Sequence, residues 1–98
     1  MPLTQPQYKI IQDHLRLKLQ SRDFPKTICP SEVARAFTTA ELQTLGAGTW
    51  RDTMESVRIV VWELRDNGEV DIMQKGEVLG KDVGLADVKG PIRLRSNK

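Results

Sequence analysis

Thr49-Trp50-Arg51-Asp52-Thr53-Met54-Glu55-Ser56-Val57-Arg58-Ile59-Val60-Val61-Trp62-Glu63-Leu64-Arg65-Asp66-Asn67-Gly68 decides the fold of this chain. At about 100° per residue, Trp50, Met54, Val57, Val60, Val61 and Leu64 fall on one face, a broad apolar stripe of the kind that faces a core. Thr49 is a good N-cap, with Asp52 three residues on as its capping partner. Asn67-Gly68 supplies the stop. The stretch predicts a long amphipathic helix at the centre of the molecule. Arg51, Arg58 and Arg65 recur every seven residues along the flank of that stripe, with Trp62 beside them.

Upstream, a helix is predicted from Tyr8, ending before Pro25, because a residue preceding proline avoids helical backbone. Tyr8, Ile11, Leu15 and Leu19 form its core stripe. Ile10 and Leu17, with His14 beside them, project from nearly the opposite side. That second apolar face is either covered by another part of the chain or open to a partner. Ile28-Cys29 reads as a short extended piece, and Pro30 suits the first position of a second helix. Glu32 falls in its first turn, where the helix dipole favours a carboxylate. Val33, Ala34, Phe37 and Ala40 continue the buried stripe. Thr38-Thr39 either ends this helix or caps a further short turn through Glu41 and Leu45.

Downstream the pattern changes to period two. Val70 and Ile72 share one side of a strand, Lys75-Gly76 marks a turn, and Leu85-Ala86-Asp87-Val88 reads as a helical turn inside a long loop. Pro91 to Arg95 closes the chain as a strand, with Ile92 and Leu94 inward and Arg93 and Arg95 outward. Three helices followed by a small antiparallel β-sheet is an α+β order of the winged-helix type, the strand near Ile28 supplying a third sheet member. One departure stands out. About ten residues separate Phe37 from Thr49, where a helix-turn-helix uses about three or four. The 98 residues are read as one domain, with 1–7 and 96–98 as flexible ends.

Composition excludes several classes of function. No apolar run is long enough for a membrane span, and the first residues lack a secretory pattern. Cys29 is the single cysteine, so no internal disulfide forms, and a cytoplasmic setting is expected. The net charge of +2 hides +3 over residues 1–28, −4 over 29–74 and +3 over 75–98.

Four motifs carry a resemblance. Ile28-Cys29-Pro30-Ser31-Glu32-Val33-Ala34-Arg35, Trp50-Arg51 with Met54 and Val57-Arg58, Gln74-Lys75-Gly76, and Gly90-Pro91-Ile92-Arg93-Leu94 occur in this order. Together they resemble a family of short, mostly bacterial proteins of unknown function that is similar to winged-helix domains. The resemblance implies a compact winged-helix fold and no assigned activity. The 38–48 and 76–90 loops are longer here than in the usual pattern.

In a winged helix the third helix enters the major groove and the wing meets backbone phosphate. That reading selects Arg51, Arg58, Lys75, Lys89, Arg93 and Arg95 for nucleic acid. Against it, Asp52, Glu55, Glu63 and Asp66 lie on the same helix as the arginines, and arginine stems also drape over core edges. The alternative is a protein-interaction or self-association module using Ile10, His14 and Leu17. Gly46-Ala47-Gly48 before a helix reads as a hinge, since neither the dinucleotide nor the phosphate-loop pattern is completed. One histidine and one cysteine on different elements assemble neither a zinc site nor a nucleophile–base pair. No catalytic residues, metal or cofactor are expected.

Overall fold

A computed structural model of the chain describes residues 3–22 and 26–97. It is α+β: four α-helices against a four-stranded antiparallel sheet. The first helix, α1, spans Gln5–Gln20. Its boundary lies three residues before Tyr8 because Thr4 and Gln7 cap each other, side chain to backbone in both directions. Among the residues expected as flexible ends, Met1, Pro2 and Lys98 lie outside the described residues. Gln5–Gln7 form the first turn of α1, and Ser96 pairs with Val70. Ile11, Leu15 and Leu19 are buried, as their spacing predicts, while Tyr8 is half-buried. The helix ends at Gln20, and Pro25 lies outside the described residues.

Strand β1 is Thr27–Ile28 and α2 is Pro30–Ala34. Glu32 accepts the Cys29 backbone N–H at 2.7 Å and pairs with Arg22 at 2.9 Å. The sequence suggested three helices, but a fourth intervenes. Thr38 caps α3, Thr39–Thr44, through its hydroxyl and the Glu41 carboxylate. A 3-10 turn, Trp50–Thr53, then leads into α4, Met54–Asp66. Gly68, at φ +80°, closes α4 in the left-handed conformation that glycine adopts without strain. Its N–H and that of Glu69 satisfy the last carbonyls of Arg65 and Leu64.

The remaining strands are β2, Val70–Gln74, β3, Glu77–Val78, and β4, Arg93–Ser96, in the order β1-β4-β2-β3. Lys75 and Gly76 both have positive φ, the backbone of a tight two-residue hairpin turn. Ile28, Leu94 and Ile72 stand side by side across the sheet and face the helices. There they meet Val57, Val60, Val61 and Leu64 of α4 in one core. The first strand pairs with the last, and the helices cover one face, an arrangement compatible with a winged helix. Because α3 separates α2 from α4, these two helices do not form a short helix-turn-helix.

Glu32, Glu41 and Glu69 are held below the ordinary carboxylate range. The dominant causes are the Cys29 N–H, the Thr38 N–H and the Arg16 side chain, respectively. A carboxylate depressed in the folded state contributes stability that is complete above its unfolded value and disappears as pH falls through the folded one. Urea midpoints are therefore expected to drop below about pH 4.5. Glu32→Gln should flatten that acid slope while costing about 1 kcal/mol at neutral pH, because the amide still caps Cys29 but loses the Arg22 pair and the charge-assisted strength of the cap. An unchanged acid slope in this variant would contradict the assignment.

Candidate functional site

Ile10, His14 and Leu17 line a groove of about 430 Å³ between α1 and α3, together with Pro6, Lys9, Asp13, Glu41 and Thr44. Pro6, Ile10, Asp13 and Leu17 follow one another at helical spacing, so a single edge of α1 makes one wall. Leu17 is 65% exposed, and Val78 is the other exposed large hydrophobic side chain among the described residues. The second wall is α3, which buries none of its own residues fully. It is tied to α1 by the Gln7 amide, donating to the Thr44 carbonyl at 3.1 Å, and by His14. His14 Nε2 lies 3.0 and 3.1 Å from the two Glu41 oxygens. Its ring meets Phe37 edge-on, with centroids 5.0 Å apart. Glu41 is kept ionised by the Thr38 N–H first, with His14 adding to it. Lys9 and Asp13 pair at 3.0 Å along the rim. Sequence reasoning found three of these residues. It missed their α1 neighbours Pro6, Lys9 and Asp13, and also Glu41 and Thr44, whose approach to α1 spans some 30 residues of chain and leaves no local signature.

The cations chosen for nucleic acid are differently placed. Arg58 donates to the carbonyls of Gly90 and Val88 at 3.3 and 3.4 Å. Arg93 donates to the Thr27 hydroxyl at 2.9 Å and to the Thr27 carbonyl. Arg95 pairs with Asp71 at 2.8 Å across β4 and β2. Lys75 and Lys89 are exposed, and the Gln74 side-chain amide next to Lys75 donates to the Lys89 carbonyl at 2.7 Å. Arg51 stands apart at the start of the 3-10 turn, its guanidinium carbon 4.7 Å from the Trp50 ring centroid.

The flank of α4 that carries Arg58, Trp62 and Arg65 is covered. Arg65 is 7% exposed and gives its donors to the carbonyls of Gly80, Lys81 and Val83. Trp62 is 6% exposed and its indole N–H donates to the Val83 carbonyl at 3.1 Å. The long 76–90 loop thus lies against this flank. What α4 and its preceding turn expose is acidic instead: Asp52, Glu55, Glu63 and Asp66, with Arg51 the sole exposed cation in that stretch.

Among the described residues, no three His, Cys, Asp or Glu side chains gather where one ion could be held. Cys29 is half-buried, its sulfur accepting from the Ser31 hydroxyl at 3.2 Å. No helix among the described residues is long and apolar enough to cross a membrane.

No curated protein matches the chain. A family described as "Protein of unknown function (DUF3253)" matches residues 8–97, which takes in all the elements from within α1 to the end of β4. With nearly its whole length matched, the chain belongs to that family of short proteins of unknown function.

Proposed function

We propose that this protein is a non-catalytic protein-interaction module that docks a basic amphipathic helix in the groove between α1 and α3. The observation that carries the reading is the exposed Leu17, aligned with Ile10 along a groove that no other segment of the described chain fills. Burying the exposed part of such a side chain contributes about 1–2 kcal/mol. From Pro6 to Leu17 the wall is about 16 Å long, room for roughly three helical turns of a partner. Charge selects the partner's sign. Asp13 and Glu41 face the groove against Lys9 alone as a permanent cation, so a Lys or Arg between two apolar anchors complements it. The same carboxylates disfavour pairing with a second copy, because an antiparallel α1–α1 contact would bring the two Asp13 side chains near its axis. An intracellular setting belongs to the proposal, supported by the lone cysteine.

Nucleic acid is the weaker reading. Arg58, Arg93 and Arg95 have protein partners, and the exposed surface of α4 repels a polyanion. Lys75 and Lys89 supply too few phosphate contacts for strong binding.

The test uses a fluorescent helical peptide with two leucines seven residues apart and lysine between them. Saturable binding to the protein is expected, weakened about tenfold or more by Leu17→Asp, as befits a central apolar anchor. Absence of saturation, an unaffected Leu17→Asp variant, or equal binding of the lysine-to-glutamate peptide would each overturn the proposal. So would concentration-dependent dimerisation abolished by Leu17→Asp, which would assign the groove to a second copy.

A further inference from the structure

We propose that Arg35, Trp50 and Arg51 form a second site, separate from the groove, for a compact phosphate dianion. The chain has eight arginines. Six are used within the fold: Arg16 on Glu69, Arg22 on Glu32, Arg58 and Arg65 on loop carbonyls, Arg93 on Thr27 and Arg95 on Asp71. Arg35 and Arg51 are the two whose N–H groups meet no acceptor among the described residues, and both are exposed. They converge on one ring. The Arg35 guanidinium carbon is 4.8 Å and that of Arg51 4.7 Å from the Trp50 centroid, so the two are separated by no more than the sum of those distances.

Trp50 is half-buried and packed on the core, which makes it a firm platform. A guanidinium over an indole is held by the ring's quadrupole while its N–H fork stays open to a ligand. Two cations on one ring repel each other, and an anion accepting from both forks relieves that repulsion. A carboxylate matches one fork. A phosphomonoester, with nearly two charges and three acceptor oxygens, matches two.

The surroundings favour a small ligand over an extended one. Glu55 is exposed on the next turn and Asp52 lies beside Arg51, so a long polyanion crossing the site meets carboxylates. Asp52 also takes the Gly48 and Thr49 N–H groups, leaving the binding to the guanidiniums.

Titrations of inorganic phosphate, a nucleoside monophosphate and phosphoserine, followed by the Trp50 indole N–H and the Arg Nε–H signals in NMR, test the site and distinguish free phosphate from ester sources. Saturating shifts in the millimolar range are expected with at least one of them. Arg35→Ala and Arg51→Ala should each weaken binding about tenfold with the backbone spectrum unchanged. Arg35→Lys should restore little, since lysine lacks the fork. Shifts that match chloride at equal ionic strength, or that survive both alanine variants, would refute the site. Tighter binding of duplex DNA through the same residues would replace the compact ligand with a polymer. Leu17→Asp must leave these titrations unaltered, so this site and the groove stand or fall separately.

Discussion

Arg65→Met is expected to cost about 2–4 kcal/mol and to release the 79–90 loop from α4. Arg65 is almost wholly buried, and its guanidinium gathers the Gly80, Lys81 and Val83 carbonyls while pairing with Asp66. Methionine keeps the apolar stem but removes every donor. The Gly80 and Lys81 carbonyls then lose their Arg65 donor beneath the loop, and Val83 keeps only the Trp62 indole N–H. An apolar replacement for a buried charge is tolerated when its partners are replaced too, and here they are backbone. Arg65→Lys should fall between the two, since an ammonium is a point donor and the carbonyls are spread across a fork. Urea denaturation followed by circular dichroism gives the stability change, and amide exchange over 79–90 gives its location. A loss under about 0.5 kcal/mol, or exchange no faster in the loop, would mean the loop is held by something else.

Leu94→Ala is expected to cost about 2–5 kcal/mol, the range for removing a large buried aliphatic side chain from a core. Leu94 is fully buried, with Ile28 opposite it on one neighbouring strand and Ile72 on the other. It therefore sits where the sheet's two halves and the helical layer meet. The cavity has strands on both sides, and hydrogen-bonded strands collapse into a void poorly. Val78→Ala, half-exposed on the edge strand β3, serves as the control and should change stability by less than about 0.5 kcal/mol. Thermal and urea unfolding of both variants settle the comparison, and similar losses from the two would remove Leu94 from the core.

Most of the architecture was legible because it rests on local rules. Ile11, Leu15 and Leu19 on one helix, Val57, Val60, Val61 and Leu64 on another, and Val70, Ile72, Ile92 and Leu94 at alternating positions are all buried as their spacing requires. Pro30, Gly68 and Lys75-Gly76 punctuate the chain where their backbone preferences place them. The fourth helix was half-legible: Thr38 and Glu41 form a capping box, but the helix is short and buries none of its own residues, so periodicity could not reveal it. For the candidate sites, the Ile10 and Leu17 face was visible as a second apolar stripe, though not whether the chain itself covers it. The convergence of Arg35 on Trp50 was not, since it depends on how α2 and the 3-10 turn pack.

What the sequence determined alone is the identity, order and inward face of the longer elements, because capping, turn chemistry and hydrophobic period act within a few residues of chain. What only the tertiary structure decided is the use of the charges. An arginine row beside an apolar stripe has the same pattern whether it faces solvent or another segment. Here the 76–90 loop lies over Arg58, Trp62 and Arg65, turning that flank into internal support and leaving acids outward. The difference is made by carbonyls of residues such as Gly80 and Val83, 15 or more positions away, and backbone carbonyls are the same in every sequence.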